Sequence, residues 1–559
     1  MARQLPRSVD TVIIGNGPSA LILSYILHGH IPYYIGGHHD TILDLKLGKR
    51  PSLLELTPDL YAHFLSSLRY STQALPVNTL LDTLIRPNAD TEVNPPSCVE
   101  WRYEPERAIS HVAIGDAPQA GGQWAENPVS ASADIGALSY AEQLSLPGYA
   151  YAEHLKRKEV QEQCDFVRPS RTEVADYLQA YPSAVGISDT VFTDTKVGDV
   201  SRAAEGFFIG SLGIRCKHLV LASGIFTVNI PPPRLLAPIA ELDSHCEPLL
   251  VIGSGFSAAD VIISTPKTRK VIHIFQWSPD TRPSPLRGCH HTAYPEYATV
   301  YRQMKVAAIA SPRAITAKSP VLRRKSNPFF SQRDWHTSYE GLPNAEVLAV
   351  SRSEETGAAT VTIRLASGDT VSRTVGGLEY VVGRRGTLDY LSPDLRAEIA
   401  GIDILPSEDT TSTLISGHTL RPKAETSFEV ARNIFIVGSL AGDSLIRHAV
   451  GSCVFAAGRI LGAIPSTFSP TDTPVPDPST PQSSSPTRNM EDEPGADLKY
   501  NLSTSTPKRN SPQSSVPPSP ATLANGHTDL HLDRRKLARA VEVANVENRF
   551  WVDMEVWGR

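Results

Sequence analysis

The sequence predicts an α/β fold, in which mostly parallel sheets carry helices on both faces. Two observations predict it. Short apolar runs recur along the chain: Thr11–Ile14, His111–Ile114, His218–Leu221, Leu249–Ile252, Val271–Phe275, Tyr380–Val382 and Ile434–Val437. They are continuous rather than alternating, as strands covered on both faces require. The first and fourth runs lead directly into glycine-rich turns and then into helical patterns, which is the signature of strand–turn–helix units.

Composition narrows the function classes. The chain has 559 residues, enough for two or three domains, with 41% hydrophobic and 20% charged residues. A net charge of -6 provides no field that would draw nucleic acid or an anionic membrane surface. No apolar run reaches the 18 or so residues a membrane span needs. The first residues pass from a polar stub into a strand without the apolar stretch of a secretory signal, so a cytoplasmic location is expected. The six cysteines form no CxxC pair. That fits reduced thiols and argues against a disulfide reductase. The adjacent pairs His38-His39 and His290-His291 are read as loop residues, because neighbouring side chains seldom share one metal. No metal site is expected.

The first turn reads Gly15-Asn16-Gly17-Pro18-Ser19-Ala20, a GxGxxA pattern. Gly15 permits the tight turn, Gly17 lets backbone approach a pyrophosphate, and Ala20 keeps the helix close to the strand. The helix N-terminus offers free N–H groups and the positive end of its dipole to phosphate. Pro18 costs nothing in the first helical turn. An acidic residue about 20 positions further on should bind a ribose hydroxyl. Here the next apolar run ends in Gly36-Gly37-His38-His39, and only Asp40 follows. The better candidate follows a long insertion: Asp116, directly after His111–Ile114 and Gly115, is either a displaced ribose ligand or a surface-loop Asp. Gly121 and Gly122 would permit close passage along a cofactor. Gln123 belongs to the same motif, and Trp124 supplies a flat apolar face or a core aromatic.

The second turn, Gly253-Ser254-Gly255-Phe256-Ser257-Ala258, repeats the pattern about 240 residues later and suggests a second nucleotide site. Arg282 and Arg287 follow the next strand, and an Arg there would select a 2′-phosphate. Two further segments close the pattern. Leu219–Ala222 ends on the small residues Ser223 and Gly224, where a crossover could pass close to a bound ring system. Ile434–Val437 leads to Gly442-Asp443, where the Asp is either an acceptor for a cofactor's polyol chain or an ordinary helix N-cap. Together these define two Rossmann-like dinucleotide-binding domains. We place the first at 8–230 and 375–463 and the second at 231–374. Residues 464–527 are rich in Ser, Thr and Pro and bury too little apolar surface to order, so a disordered linker is predicted. Residues 528–559 read as an amphipathic helix with Leu530, Leu537 and Val541. It is either a frayed tail or a docking peptide for a protein partner.

In this order the motifs GxGxxA, GGxW, LASG, GSGxSAAD and a C-terminal GD resemble the class B flavin monooxygenases. The chain is more similar to the oxidative stress-induced growth inhibitor family. That likeness rests on Gly15-Asn16-Gly17-Pro18-Ser19, Gly121-Gly122-Gln123-Trp124, Leu146-Pro147-Gly148, Tyr294-Pro295-Glu296-Tyr297 and Gly442-Asp443-Ser444-Leu445-Ile446-Arg447. It covers about residues 8 to 463. The resemblance implies FAD at the first turn (Gly15, Gly17, Ala20, Gly122, Trp124, Asp443) and NADPH at the second (Gly253, Gly255, Ser257, Ala258). It further implies that a flavin C4a-(hydro)peroxide transfers oxygen from dioxygen to a small organic substrate. Three departures bear on this. Ser223 stands where the family often has Thr. Gly115-Asp116 replaces the usual acidic residue before GGxW. The Baeyer–Villiger fingerprint is not readable, with only His245 near its place. The alternatives are a regulatory or scaffold flavoprotein with little turnover, supported by the Ser-Pro and Thr-Pro sites of the tail, and an NAD(P)H oxidase or reductase.

Overall fold

The computed structural model describes residues 4–55, 74–88, 95–160, 166–309, 329, 333–353, 357–401 and 414–463. The chain divides into a main body, residues 1–469 with 535–559, and a separate segment, residues 470–534. Every described residue lies in the main body, whose two parallel sheets define a first and a second unit. The linker expected at 464–527 and the helix expected at 528–559 lie outside the described residues, as does Cys164.

The first sheet is built on β1 (Ser8–Ile14), which is buried from Thr11 onward. Its parallel neighbours are β4 (His111–Ile114) and β8 (Ile214–Leu221). Outside these lie β5 (Val191–Phe192) and β20 (Ile434–Ile436), also parallel. The parallel order β5-β4-β1-β8-β20 is therefore third, second, first, fourth and fifth along the chain, the doubly wound Rossmann order. The antiparallel strand β19 (Glu429–Ala431) pairs with β20. The strands β6 (Val200–Ala203) and β7 (Gly206–Ile209) extend from β8.

The apolar run after the first helix does not join this sheet. It forms β2 (His30–Tyr34), which pairs antiparallel with β3 (Val99–Tyr103) in a separate two-stranded ribbon. The true second strand is β4, and the described residues between 30 and 103 form an excursion within the first crossover. One helix of that excursion, Pro76–Ile85, packs against the last described helix, Ala449–Ile460. A Cβ on Gly451 would overlap the carbonyl of Val77, so only glycine permits this approach.

A buried ion cluster ties the first of these helices to the turn Ile446–His448 that leads into the second. Asp82 accepts from Arg447 Nε at 2.9 Å and Nη2 at 2.6 Å, and from Arg86 Nε at 3.2 Å. Burial works to raise the Asp82 carboxyl, but Arg447 and then Arg86 outweigh it and hold it down at about 2. Carboxylate and guanidinium groups this buried persist because each completes the other's hydrogen bonding.

The second sheet has the order β12-β11-β10-β16, all parallel, formed by β10 (Leu249–Ile252), β11 (Val271–Phe275), β12 (Tyr339–Pro343) and β16 (Gly377–Tyr380). Between β12 and β16 runs an antiparallel meander, β13 (Glu346–Ser353), β14 (Ala358–Arg364) and β15 (Thr370–Val375). One face of the sheet packs on the helices Phe256–Ser264 and Pro295–Ile309, and the other on the meander. Because β16 pairs with β10, this sheet continues past residue 374, where the sequence reading placed the return to the first domain. The chain leaves the first sheet through β9 (Val228–Asn229) and returns through β17 (Arg384–Thr387). The two crossings pair antiparallel with each other, and β18 (Leu414–Ile415) adds to β17.

Candidate functional site

Both glycine turns end a central strand and open a helix whose N-cap is glycine with no side-chain cap, at Gly17 and Gly255. Several other helices are capped by side chains, for example Ser170 for Arg171–Ala184 and Ser392 for Pro393–Ala400, while Pro76–Ile85 and Ala449–Ile460 are not. The first-turn N–H groups of the two glycine-capped helices are thus left for an anion to satisfy.

At the first turn, Gly15 has φ +128°, and a Cβ there would run into the carbonyl oxygen of Ala222 at the end of β8. Asn16 is buried and latches the turn to the following loop. Its Nδ2 donates to Ala117 O at 3.2 Å, and its carbonyl accepts from Gly121 N at 2.8 Å. Gly121 and Gly122 have φ of +123° and +56°. A Cβ on Gly122 would come within 3.1 Å of Gly17 Cα, so this glycine pair lets two backbone turns meet. Asp116 is exposed at the carboxyl end of β4, the strand next to β1. The topology therefore puts it where a doubly wound fold carries its acidic residue.

The end of the last strand differs in detail from the reading above. The turn directly after β20 is Gly438–Ser439, not Gly442–Asp443. A Cβ on Gly438 would overlap Ser19 Oγ, and Ser439 Oγ accepts from Ile225 N at 3.2 Å, beside Gly224. Ser223 Oγ bonds the Tyr390 hydroxyl at 2.9 Å. Asp443 is buried, and its carboxylate already takes three protein donors: Leu75 N at 2.8 Å, Asn78 Nδ2 at 2.7 Å and Arg421 Nη1 at 3.0 Å. Gly442, at φ +98°, makes room for Arg421.

At the second turn, a Cβ on Gly253 would run into Val381 O. The Gly253 carbonyl accepts from His273 Nε2 at 2.7 Å, and His273 Nδ1 accepts from the Tyr339 hydroxyl at 2.8 Å. Burial holds this imidazole down at about 4, so it is neutral at physiological pH. Ser254 accepts on its Oγ from Gln276 N and on its carbonyl from Ser284 Oγ. Ala258 is buried. Arg282 sits in a short turn beyond β11, where its N–H donates to Ser278 O at 2.8 Å.

A cavity of about 200 Å³ is lined by segments that follow the two turns, while Gly15–Ala20 and Gly253–Gly255 themselves do not line it. Gln123 and Trp124 line it from the first side, and Phe256 and Ser257 from the second. Asp116, Arg282 and Asp443 do not line it. Among the lining residues that the sequence does not assign to a site are Asp260, Tyr297, Arg384 and Ser444. The available signal was an acidic residue, Asp260, one turn into a helix of small and apolar residues. Among the described residues, no group of three or more His, Cys, Asp or Glu could hold a metal, and no helix is long and apolar enough to cross a membrane.

This architecture, with a glycine turn at the head of each parallel sheet, is the FAD/NAD(P)-binding flavoprotein fold. No protein-family model matches the chain. It is 26% identical over 500 residues to oxidative stress-induced growth inhibitor 1 of Mus musculus, covering 81% of this chain and 95% of that protein. It is 27% identical over 350 residues to oxidative stress-induced growth inhibitor 2 of Homo sapiens, covering 52% of this chain and 68% of that protein. The resemblance to the oxidative stress-induced growth inhibitor family is thus borne out by similarity over 81% of the chain. Among solved structures, a flavin-containing monooxygenase from Stenotrophomonas maltophilia aligns with a TM-score of 0.44 at 15% identity, over 82% of this chain and 98% of that one.

Proposed function

We propose that the chain is an FAD-dependent, NADPH-consuming monooxygenase that acts on a small organic substrate. The observation that carries this reading is the pair of glycine turns, each ending a parallel strand and opening a helix whose N-terminus no side chain caps. The residues fit two dinucleotides. Each turn presents an uncapped helix N-terminus for a pyrophosphate, and at Gly17 and Gly255 a Cβ would meet no protein atom nearer than 3.9 Å, leaving that space to a ligand. In the first unit, Gly15, Gly17, Pro18, Ser19 and Ala20 would cradle FAD, with Asp116 on its ribose. Gly121, Gly122, Ser223, Gly224, Gly438 and Ser439 would form the walls. In the second unit, Gly253 to Ala258 would hold the nicotinamide nucleotide, with Arg282 as the candidate for its 2′-phosphate.

Bound flavin would supply hydride acceptance and oxygen activation, chemistry that belongs to the cofactor. The protein supplies orientation and a dry site. Trp124, Phe226 and Phe256 give the cavity apolar walls, which would help exclude water from a reacting centre. An NAD(P)H oxidase would use the same turns, and one experiment separates the two. The visible spectrum of the purified full-length protein is followed in air as NADPH is added, together with hydrogen peroxide yield and product formation. A flavin band that bleaches with NADPH, with peroxide well below the NADPH consumed once a substrate is present, supports the monooxygenase. Peroxide equal to NADPH for every substrate supports the oxidase. A protein that stays colourless with added FAD overturns both.

A further inference from the structure

Asp260 lies one turn into the helix that follows the second glycine turn, and it faces the cavity. Its Oδ1 accepts from the Tyr297 hydroxyl at 2.8 Å. Among the described residues its Oδ2 has no donor. Tyr297 is fully packed, with its ring edge-on to Phe256 at 5.1 Å. It is held by the motif that contains it. In Tyr294-Pro295-Glu296-Tyr297, Tyr294 donates to Leu138 O at 2.9 Å and Glu296 pairs with Arg168 at 2.8 Å. Arg168 in turn donates to Gly136 O, Ala137 O and Ala293 O. This segment therefore fixes Tyr297, and Tyr297 fixes the direction of the Asp260 carboxyl.

The other charged groups facing Asp260 are Glu296 from the helix Pro295–Ile309, Arg384 from β17 and Arg171 from the helix Arg171–Ala184. Arg384 donates to Gln123 Oε1 at 3.2 Å and lies over the Phe226 ring. It has no carboxylate at ion-pair distance among the described residues. Burial raises the Asp260 carboxyl, and the Tyr297 hydrogen bond, Arg384 and Arg171 only partly oppose this, leaving it at about 6.

A nicotinamide ring is neutral when reduced and carries one positive charge when oxidised. A carboxylate fixed beside it favours the oxidised form, and a neutral carboxylic acid does not. We propose that Asp260 reads the redox state of the nicotinamide: its carboxylate, clamped on one oxygen by Tyr297 and open to the cavity on the other, binds the oxidised ring in preference to the reduced one. The proposal rests on the reading that the second turn holds NAD(P)H.

The test uses equilibrium titrations of the full-length protein with NADP+ and with tetrahydro-NADP, a neutral-ring analogue that cannot transfer hydride. The 2′-phosphate is common to both probes, so its own titration cancels in the ratio of dissociation constants. For the wild type the preference for NADP+ rises roughly five-fold between about pH 5 and pH 8, with a midpoint near 6. Asp260→Asn abolishes this rise. Tyr297→Phe keeps it but moves the midpoint upward, because the lost hydrogen bond favoured the ionised form. A purely structural role for Tyr297 would weaken both probes equally and leave the midpoint in place. A ratio that is flat with pH in the wild type, or unchanged in Asp260→Asn, overturns the proposal while leaving nucleotide binding intact. Failure of both probes to bind overturns the nucleotide reading of the second turn, and this proposal with it.

Discussion

At Gly15 an added Cβ would meet the carbonyl oxygen of Ala222, and at Gly253 it would meet that of Val381. In each case the obstructing carbonyl belongs to the segment ending the parallel strand next to the turn. The two turns thus share one steric device, repeated about 240 residues apart. Their latches differ. Asn16 secures the first with a side-chain amide that does not titrate, whereas His273 secures the second through an imidazole. The surroundings differ too. The first unit is braced by the buried Asp82–Arg447–Arg86 cluster, and the second by hydrogen bonds among His273, Tyr339, Ser254 and Ser284. The same backbone geometry can therefore be given different sensitivity to acid by the residue chosen to hold it.

The largest effects are expected where the two turns are alike. Gly15→Ala and Gly253→Ala each place a methyl group against backbone at a positive φ. Each should cost about 3 kcal/mol or more, because neither the strand nor the carbonyl can withdraw. The two variants should separate in function. Gly15→Ala should be purified without flavin absorbance. Gly253→Ala, if it folds, should keep the flavin band but fail to bleach with NADPH. Loss of flavin in both would mean that the two units do not hold their cofactors independently.

The next effect belongs to the first unit alone. Asp82→Ala leaves Arg447 and Arg86 buried without their carboxylate, at a cost of about 3–5 kcal/mol in denaturant unfolding. The sign of its pH dependence follows from the depressed carboxyl. The folded value is about 2 and the unfolded one 3.8, so the unfolded chain takes the proton first as pH falls. The stability gap between wild type and variant should be full above pH 4 and should narrow toward pH 2. A gap that stays constant over that range would show that the loss comes from packing rather than charge.

His273→Phe tests the second latch. It strips Gly253 O and the Tyr339 hydroxyl of their partner, a loss of about 1–3 kcal/mol. Nicotinamide-nucleotide affinity should fall roughly ten-fold while flavin content is unchanged. In the wild type the folded imidazole titrates at about 4 and the unfolded one at 6.5. Its contribution to stability is therefore complete above 6.5 and declines as pH falls to 4. Thermal melts across this window, wild type against variant, should converge at the acid end.

Much of this was legible in the sequence because the glycine turns impose local constraints that no distant residue can replace. GxGxxA after an apolar run demands strand, turn and helix in that order, and both turns take that form. The same logic places Asp116 at the carboxyl end of its strand, since it directly follows an apolar run in a parallel sheet. What escaped was long-range pairing. The run Ile31–Ile35 carries the pattern of a central strand, yet β2 pairs only with β3, because β4 occupies the place beside β1. The surroundings of Asp260 were hidden for a similar reason. Its partner Tyr297 and its opposing charges Arg384 and Arg171 come from three other elements, and no spacing along the chain announces their meeting.

Asp443 is the residue on which sequence and structure pull furthest apart, and it carries the smallest and sharpest prediction. Its position in Gly442-Asp443 suggests a flavin acceptor, but its carboxylate is occupied by Leu75 N, Asn78 and Arg421, which tie the inserted helix to the end of the first unit. Asp443→Asn removes the charge that Arg421 pairs with and turns one acceptor into a donor facing existing donors. The expected loss is about 1–3 kcal/mol of stability. If the carboxylate serves only this tie, flavin affinity at a temperature where the variant is folded should change less than about three-fold. A drop of about a hundred-fold with stability preserved would instead make Asp443 a direct flavin ligand, and would require the Leu75–Asn78 segment to move aside when the cofactor binds.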